Sequence, residues 1–122
     1  MYGILIWVVR LEQMKNKYGY FSNEQMEKYK VKLHKELFWL LVYKDPDKKD
    51  EYVNVDFNKY FMGTMKRIMG LNRLLFYPPE IVSILCLLEA ALIETEQVEF
   101  DYKSYRKFVL DAHTLVDKIG GK

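Results

Sequence analysis

The residues best suited to chemistry lie close together near the end of the chain. Arg106 and His113 are separated by six residues, and Asp117 follows four positions after the histidine. The apolar spacing of this stretch predicts a helix, and with 3.6 residues per turn the three side chains share one flank of it. A cation and a general acid or base that face one phosphate can cleave a phosphodiester. The spacing therefore raises the hypothesis that Arg106 and His113 face the same phosphate of a substrate.

The order arginine, six residues, histidine resembles the Arg-x4-6-His motif of the HEPN ribonucleases, which are small helical bundles that often work as dimers. The resemblance covers the eight residues from Arg106 to His113. It implies a metal-independent ribonuclease with these two residues as its catalytic pair. Lys107 stands where that family often has a polar residue, commonly Asn, and no tyrosine follows shortly after the histidine. The other interpretation, which we favour, is structural: Asp117 or a backbone group satisfies His113 beside an apolar stripe.

The sequence lacks the motifs of the common metal, nucleotide and hydrolase sites. The two histidines, His34 and His113, belong to different predicted helices, and neither has a histidine four residues away or a glutamate three residues before it. Metal sites on helices are built from such clusters. Glycine-rich phosphate loops, a Gly-x-Ser-x-Gly elbow and paired Cys-x-x-Cys motifs are missing as well. We expect no metal and no small-molecule cofactor.

Length and composition predict a single domain spanning residues 1–122. Half of the residues are hydrophobic and 30% are charged, which is typical of globular proteins. The 19 basic and 17 acidic residues give a net charge of +2, so no global charge excess indicates nucleic acid as a partner, and we expect none. The apolar run Ile4–Val9 is too short to span a bilayer and lacks the basic flank of a signal peptide. We expect a cytoplasmic, intracellular protein that is not secreted and has no membrane partner, with the single cysteine, Cys86, as a buried inert thiol.

Residues 79–97 are the most apolar stretch and organise the predicted fold. Apolar side chains cover most of the helical wheel, so we expect a core helix that other helices surround. Pro78 and Pro79 suit its first turn. Glu89 falls on the apolar side of the wheel, and a buried charge needs a partner. We predict a buried ion pair between Glu89 and Arg67 or Arg73 of the preceding helix.

Four further helices follow from capping signals and apolar periodicity. Gly63 and Gly70 lie inside one of them, and either they let another helix approach closely or Gly70 ends one helix and begins a shorter one. No segment shows sustained alternation of period two. The predicted fold is an all-α bundle of about five helices packed around residues 79–97. The further helices are predicted over residues 4–18, from the capping box of Ser22 and Gln25 to Asp45-Pro46, from Asp56 to Leu75, and from Asp101 to Gly120-Gly121. The β-branched beginning of residues 4–18 is also compatible with a strand, although we favour a helix.

Charge is distributed unevenly along the chain. No lysine or arginine lies between Arg73 and Lys103, although this stretch holds six acidic residues. Either these carboxylates pair with the basic helix before them, which we favour, or they form an acidic patch for a partner. We interpret the lysines of the second predicted helix as a face exposed to solvent. The acidic residues are Glu80, Glu89, Glu94, Glu96, Glu99 and Asp101, and the lysines are Lys28, Lys30, Lys32 and Lys35.

The N-terminal run is where the sequence points most directly to a function. It is apolar on every side, whereas an end helix normally keeps one face in water, so a second copy or a foreign partner must cover it. Ten tyrosines are more than a core of this size can satisfy, and tyrosine is common at protein interfaces. We predict a non-enzymatic interaction or assembly module that self-associates, docks to a larger complex, or does both. A structural protein of a virus or mobile element and an inhibitor or immunity protein are two such settings. The predicted interface residues are Ile4, Ile6, Trp7, Val8 and Leu11, with Trp7 as the hot spot.

Overall fold

The computed structural model describes residues 13–16 and 19–120, with side chains from residue 22 to residue 120. This part of the chain forms a short β-hairpin followed by four α-helices, with a 3₁₀ turn at Pro46–Lys48 between the first two helices. The strands are β1 (Gln13–Asn16) and β2 (Gly19–Ser22), and the helices are α1 (Asn23–Lys44), α2 (Phe57–Leu74), α3 (Pro79–Thr95) and α4 (Tyr102–Val116).

The fold is the predicted all-α bundle, with four helices in the described range where about five were expected. The helix predicted over residues 4–18 is wrong at residues 13–16, because these form a strand antiparallel to β2, with Gln13 opposite Ser22 and Asn16 opposite Gly19. Pairing with the neighbouring strand satisfies the backbone there without a helix. Residues 4–12 lie outside the described part of the chain.

The helices begin where the capping residues predict. At α1 the Ser22 hydroxyl accepts from the Gln25 backbone N–H at 3.1 Å, and the Gln25 side chain accepts from the Ser22 N–H at 2.9 Å. Asp56 accepts from the Lys59 N–H at the start of α2, and Asp101 accepts from the Lys103 N–H at the start of α4. These contacts satisfy donors that have no partner within the helix. Each cap therefore fixes where its helix starts.

The connection between α2 and α3 is tight and strained. α2 continues through Gly70, and a Cβ placed on this glycine would meet no atom within 4 Å, so neither predicted reason for the glycine holds. The chain then turns through Phe76 and Tyr77, which have φ angles of 63° and 61°. Left-handed backbone costs a non-glycine residue about 1 to 2 kcal/mol. The following Pro78 and Pro79 begin α3 as predicted.

The core lies between α3, α4 and the inner faces of α1 and α2. α3 contributes Ile81, Ile84, Leu88 and Ala91, all fully buried. α4 faces them with the apolar stripe that its periodicity predicts, in which Tyr105, Val109, Ala112 and Val116 are fully buried. None of the described helices is long and apolar enough to cross a membrane.

Two hydroxyls connect the core to α1. The buried Tyr105 hydroxyl donates to the Leu40 carbonyl at 2.6 Å, and the Tyr102 hydroxyl donates to the Leu41 carbonyl at 3.1 Å. Burial raises the pKa of Tyr105 well above its usual range because the phenolate would lose its hydration. Both tyrosines therefore remain neutral donors and hold α4 against the end of α1. The same contact brings His34 of α1 to His113 of α4.

Candidate functional site

Three titratable side chains form a hydrogen-bonded chain between α1 and α4. An oxygen of the Asp117 carboxylate lies 2.9 Å from Nε2 of His34, and Nδ1 of His34 lies 2.8 Å from Nε2 of His113. The two imidazole rings are tilted against each other with their centroids 4.0 Å apart. Asp117 thus reaches His113 only through His34. The sequence prediction placed Asp117 beside His113 and missed the intervening histidine.

The chain of contacts fixes which nitrogen carries each proton when His34 is neutral. A carboxylate only accepts, so His34 donates from Nε2 and must accept at Nδ1. His113 then donates from Nε2, which leaves its own Nδ1 with a free lone pair. An imidazole oriented in this way by a second group is positioned as a general base.

Burial and charge act on the pKa values of the two ends. Desolvation lowers the pKa of His113 below 6.5, the neighbouring His34 lowers it further, and Asp117 opposes both effects. The hydrogen bond from His34 is the main reason that the pKa of Asp117 is also lowered. At neutral pH the site therefore holds an ionised carboxylate and a neutral His113.

Arg106, the predicted partner of His113, does not join this chain. Its side chain is exposed, and the hydrogen bond that the structure gives to the His113 ring joins it to His34 and not to Arg106. Seven residues of helix separate their Cα atoms by about 10 Å along the axis. The cation that does lie at the site is Lys30, which is 4% exposed and donates to the Asp117 carbonyl at 3.2 Å. Lys30 was predicted to be solvated, and the structure places it on the opposite side of α1 from Lys28 and Lys32.

The described part of the chain contains no group of three or more His, Cys, Asp or Glu side chains that could hold a metal ion. The linear arrangement gives the reason. The two nitrogens of His34 point to opposite sides of the ring, one toward Asp117 and the other toward His113. Their donor atoms therefore do not converge on one point.

The predicted ion pair of Glu89 with Arg67 or Arg73 is wrong. Nε of Arg67 lies 2.6 Å from a carboxylate oxygen of Glu36, which is 9% exposed. Glu89 and Arg73 are exposed, and neither forms an ion pair with a described residue. Because α3 is apolar around most of its circumference, the wheel did not indicate which side faces the core.

The outer side of α3 is apolar and acidic. Val82 and Ile93 are 41% and 51% exposed, and Cys86 is exposed rather than buried as predicted. Glu89 lies between Cys86 and Ile93. Together with Val82 these residues occupy positions i, i+4, i+7 and i+11, which share one side of a helix. We call Val82, Cys86, Glu89 and Ile93 the acidic face of α3. The other acidic residues predicted to pair, Glu80, Glu94, Glu96, Glu99 and Asp101, also form no ion pair with a described lysine or arginine.

A groove between α1 and α2 has the opposite charge. Its apolar floor includes Leu33, Leu71 and Leu74, and it encloses about 230 Å³. Lys32 and Arg67 line its sides. Two more open depressions share lining residues with it, one at Gln25 and Lys28 and the other at Asp56, Lys59 and Lys66. We call this whole depression the α1–α2 groove.

An aromatic cluster lies at the end of α1. Trp39 contacts Phe38, Tyr43 and Tyr52, with ring centroids 5.7, 5.5 and 6.0 Å apart, and Tyr43 contacts Tyr60 at 5.2 Å. Phe38 is 53% exposed and Trp39 is 38% exposed. The sequence prediction expected tyrosines at edges but did not identify Trp39, which lies just outside the apolar stripe of α1. Trp7 and the other predicted interface residues, Ile4, Ile6, Val8 and Leu11, lie outside the described residues.

No protein-family model matches this chain, and comparison with curated proteins and with solved structures finds no significant match.

Proposed function

We propose that this chain is a non-enzymatic interaction or assembly module that associates with further copies of itself. Docking to a larger complex would use the same kind of surface. Settings such as a viral or mobile-element structural protein, or an inhibitor or immunity protein, are compatible with this role. No cofactor is required for it.

One observation carries this proposal, namely that α3 has apolar residues on the side that faces away from the core. Its inner side packs against α2 and α4 through fully buried residues. Its outer side leaves Val82, Cys86 and Ile93 exposed along three turns. Single apolar residues are normal on a surface, but three that share one side of a helix, with one exposed glutamate between the second and the third, form a surface that a partner can cover. A partner that covers this surface removes it from water, which favours association.

Sedimentation velocity at micromolar concentrations tests this proposal. We expect the wild type to sediment as a mixture of monomers and larger species, with more of the larger species at higher concentration. Ile93→Ser should contain more monomer at the same concentration. Both forms should fold alike because Ile93 is half exposed. Val53→Ser is the matched control, since this valine is 70% exposed in the loop before α2. Strictly monomeric wild type, or equal association of wild type and Ile93→Ser, would contradict the role proposed for α3.

The N-terminal run provides an independent test of the same function. Trp7→Ala should weaken association if Ile4, Ile6, Trp7, Val8 and Leu11 form part of the interface, because aromatic anchors carry much of the binding energy. The same measurement at the same concentrations distinguishes this surface from the acidic face of α3. An unchanged sedimentation profile for Trp7→Ala would remove the N-terminal run from the interface.

A second candidate function is the HEPN-like metal-independent ribonuclease with Arg106 and His113. The observation that favours it is the Asp117–His34–His113 chain, which leaves a lone pair on Nδ1 of His113. RNA cleavage in the presence of EDTA tests it. Activity that disappears in His113→Ala and Arg106→Ala, but persists in Lys107→Ala, would support the enzyme and overturn the proposal of a binding module.

A further inference from the structure

We propose that the acidic face of α3 in one copy docks into the α1–α2 groove of a second copy. This inference rests on the self-association proposed above and names the surface that covers α3. The two surfaces lie on different helices of the same chain, so one copy offers both halves of the contact.

Charge complementarity is the first support for this pairing. Lys32, Lys59 and Lys66 line the groove and form no ion pair with any described residue. Two carboxylates also line the groove: Glu36 is paired with Arg67, and Asp56 accepts from the Lys59 N–H at the start of α2. On the other surface Glu89 is exposed and has no basic partner within the described range. Opposite potentials on two surfaces speed association and disfavour the pairing of like surfaces.

The same charges disfavour the pairing of α3 in one copy with α3 in a second copy. α3 has several glutamates and no lysine or arginine. Two such faces side by side would bring the two Glu89 carboxylates together without a cation between them, which disfavours this pairing. The groove of a second copy supplies the missing lysines.

Apolar surface and length are the second support. The groove floor of Leu33, Leu71 and Leu74 can receive Val82 and Ile93, in the manner of an amphipathic helix bound in a groove. The acidic face spans eleven residue steps from Val82 to Ile93, which is about 16 Å of helix. The part of the groove that both helices line runs from Tyr29 to Glu36 of α1, which is about 10 Å, and a depression lined by α1 residues alone continues it to Gln25.

The geometry of the contact has a consequence for the assembly. Because the acidic face and the groove are different surfaces, one contact leaves a free face on one copy and a free groove on the other. A reciprocal second contact between the same two copies closes a two-fold dimer, whereas contacts to further copies build rings or open chains. The association should also weaken as salt is added, since screening reduces attraction between exposed charges.

Charge reversal in the full-length chain, read by sedimentation velocity, tests this inference. Lys32→Glu alone and Glu89→Lys alone should each weaken association about tenfold or more, because each places like charges at the contact. The double variant restores opposite charges and should associate again. Lys118→Glu and Glu51→Lys are the matched controls, since both residues are exposed and lie outside the two surfaces. Their association should equal that of the wild type.

Cys86 gives a second readout, because it is exposed in the middle of the acidic face. Its rate of alkylation by N-ethylmaleimide should fall as the concentration of wild-type protein rises. The rate should not change with concentration in Lys32→Glu. Cys86 alkylation that is independent of concentration in an associating wild type would overturn the inference.

The remaining outcomes separate this inference from the proposed function. Docking in the groove would be refuted if the wild type associates and neither single charge reversal changes this. It would also be refuted if only Trp7→Ala reduces association. Both results are compatible with the proposed self-association. Glu89→Lys that associates more strongly than wild type would indicate pairing of α3 with itself and would also refute the inference. Wild type that is monomeric at every concentration would refute both.

Discussion

The ion pair between Glu36 and Arg67 should be asymmetric in its effect on stability. The Glu36 side chain is 11% exposed and the Arg67 side chain is 45% exposed, with 2.6 Å between the bonded atoms. Arg67→Met leaves a buried carboxylate without its cation. Removing one partner of a fully buried pair costs about 3 to 5 kcal/mol, and because solvent already screens Arg67 we expect a loss of about 2 kcal/mol.

Glu36→Met should cost much less than Arg67→Met. The second carboxylate oxygen of Glu36 is buried and has no hydrogen-bond partner, so the substitution removes an unsatisfied acceptor together with the charge. Arg67 can then turn toward water. We expect a change within about 1 kcal/mol of the wild type, and the double variant should be close to Glu36→Met.

Urea unfolding followed by circular dichroism measures these effects at a protein concentration low enough to avoid association. Lys66→Met is the matched control because Lys66 is an exposed cation one residue away from Arg67 and should have little effect on the free energy of unfolding. The reasoning about burial would be refuted if Arg67→Met left the free energy of unfolding unchanged. It would also be refuted if Glu36→Met lowered that free energy as much as Arg67→Met does.

Three further predictions follow from the core, the glycines and the histidine pair. Leu88→Ala should lower the free energy of unfolding by about 2 to 5 kcal/mol because Leu88 is fully buried, and a loss below about 1 kcal/mol would show that α3 is not the core helix. Gly70→Ala should raise it by about 1 kcal/mol, since the new methyl group meets open space, whereas Gly63→Ala should gain less because its Cβ would lie 3.4 Å from Arg67. Stability should fall as the pH drops below about 6.5, because the lowered pKa of His113 favours the neutral form in the folded state and protonation favours unfolding. Urea titrations across this pH range should show a smaller loss in His113→Gln, and equal pH dependence in both proteins would contradict it.

The caps and the periodic faces of the helices were predictable because their signals are local. The Ser22 capping box and the caps at Asp56 and Asp101 need only side chains within three residues. The core stripe of α4 follows from a helical spacing that only one side satisfies. These features depend on the backbone near each residue, so the sequence was sufficient.

The candidate sites were not predictable because they depend on how helices pack. His34 and His113 are 79 positions apart, and only the contact between α1 and α4 brings them together. The orientation of α3 was ambiguous because apolar residues surround its axis, and this led to the errors at Glu89 and Cys86. The hairpin was missed because strands β1 and β2 have four residues each, too few to show clear alternation.

The most direct test of the proposed function is the sedimentation of the wild-type chain over a range of micromolar concentrations, at low and at high salt. We expect the weight-average sedimentation coefficient to rise with protein concentration and to fall when salt is added, because an apolar stripe with exposed charges forms the contact. A coefficient that stays at the monomer value throughout would contradict the central claim that this chain assembles with copies of itself.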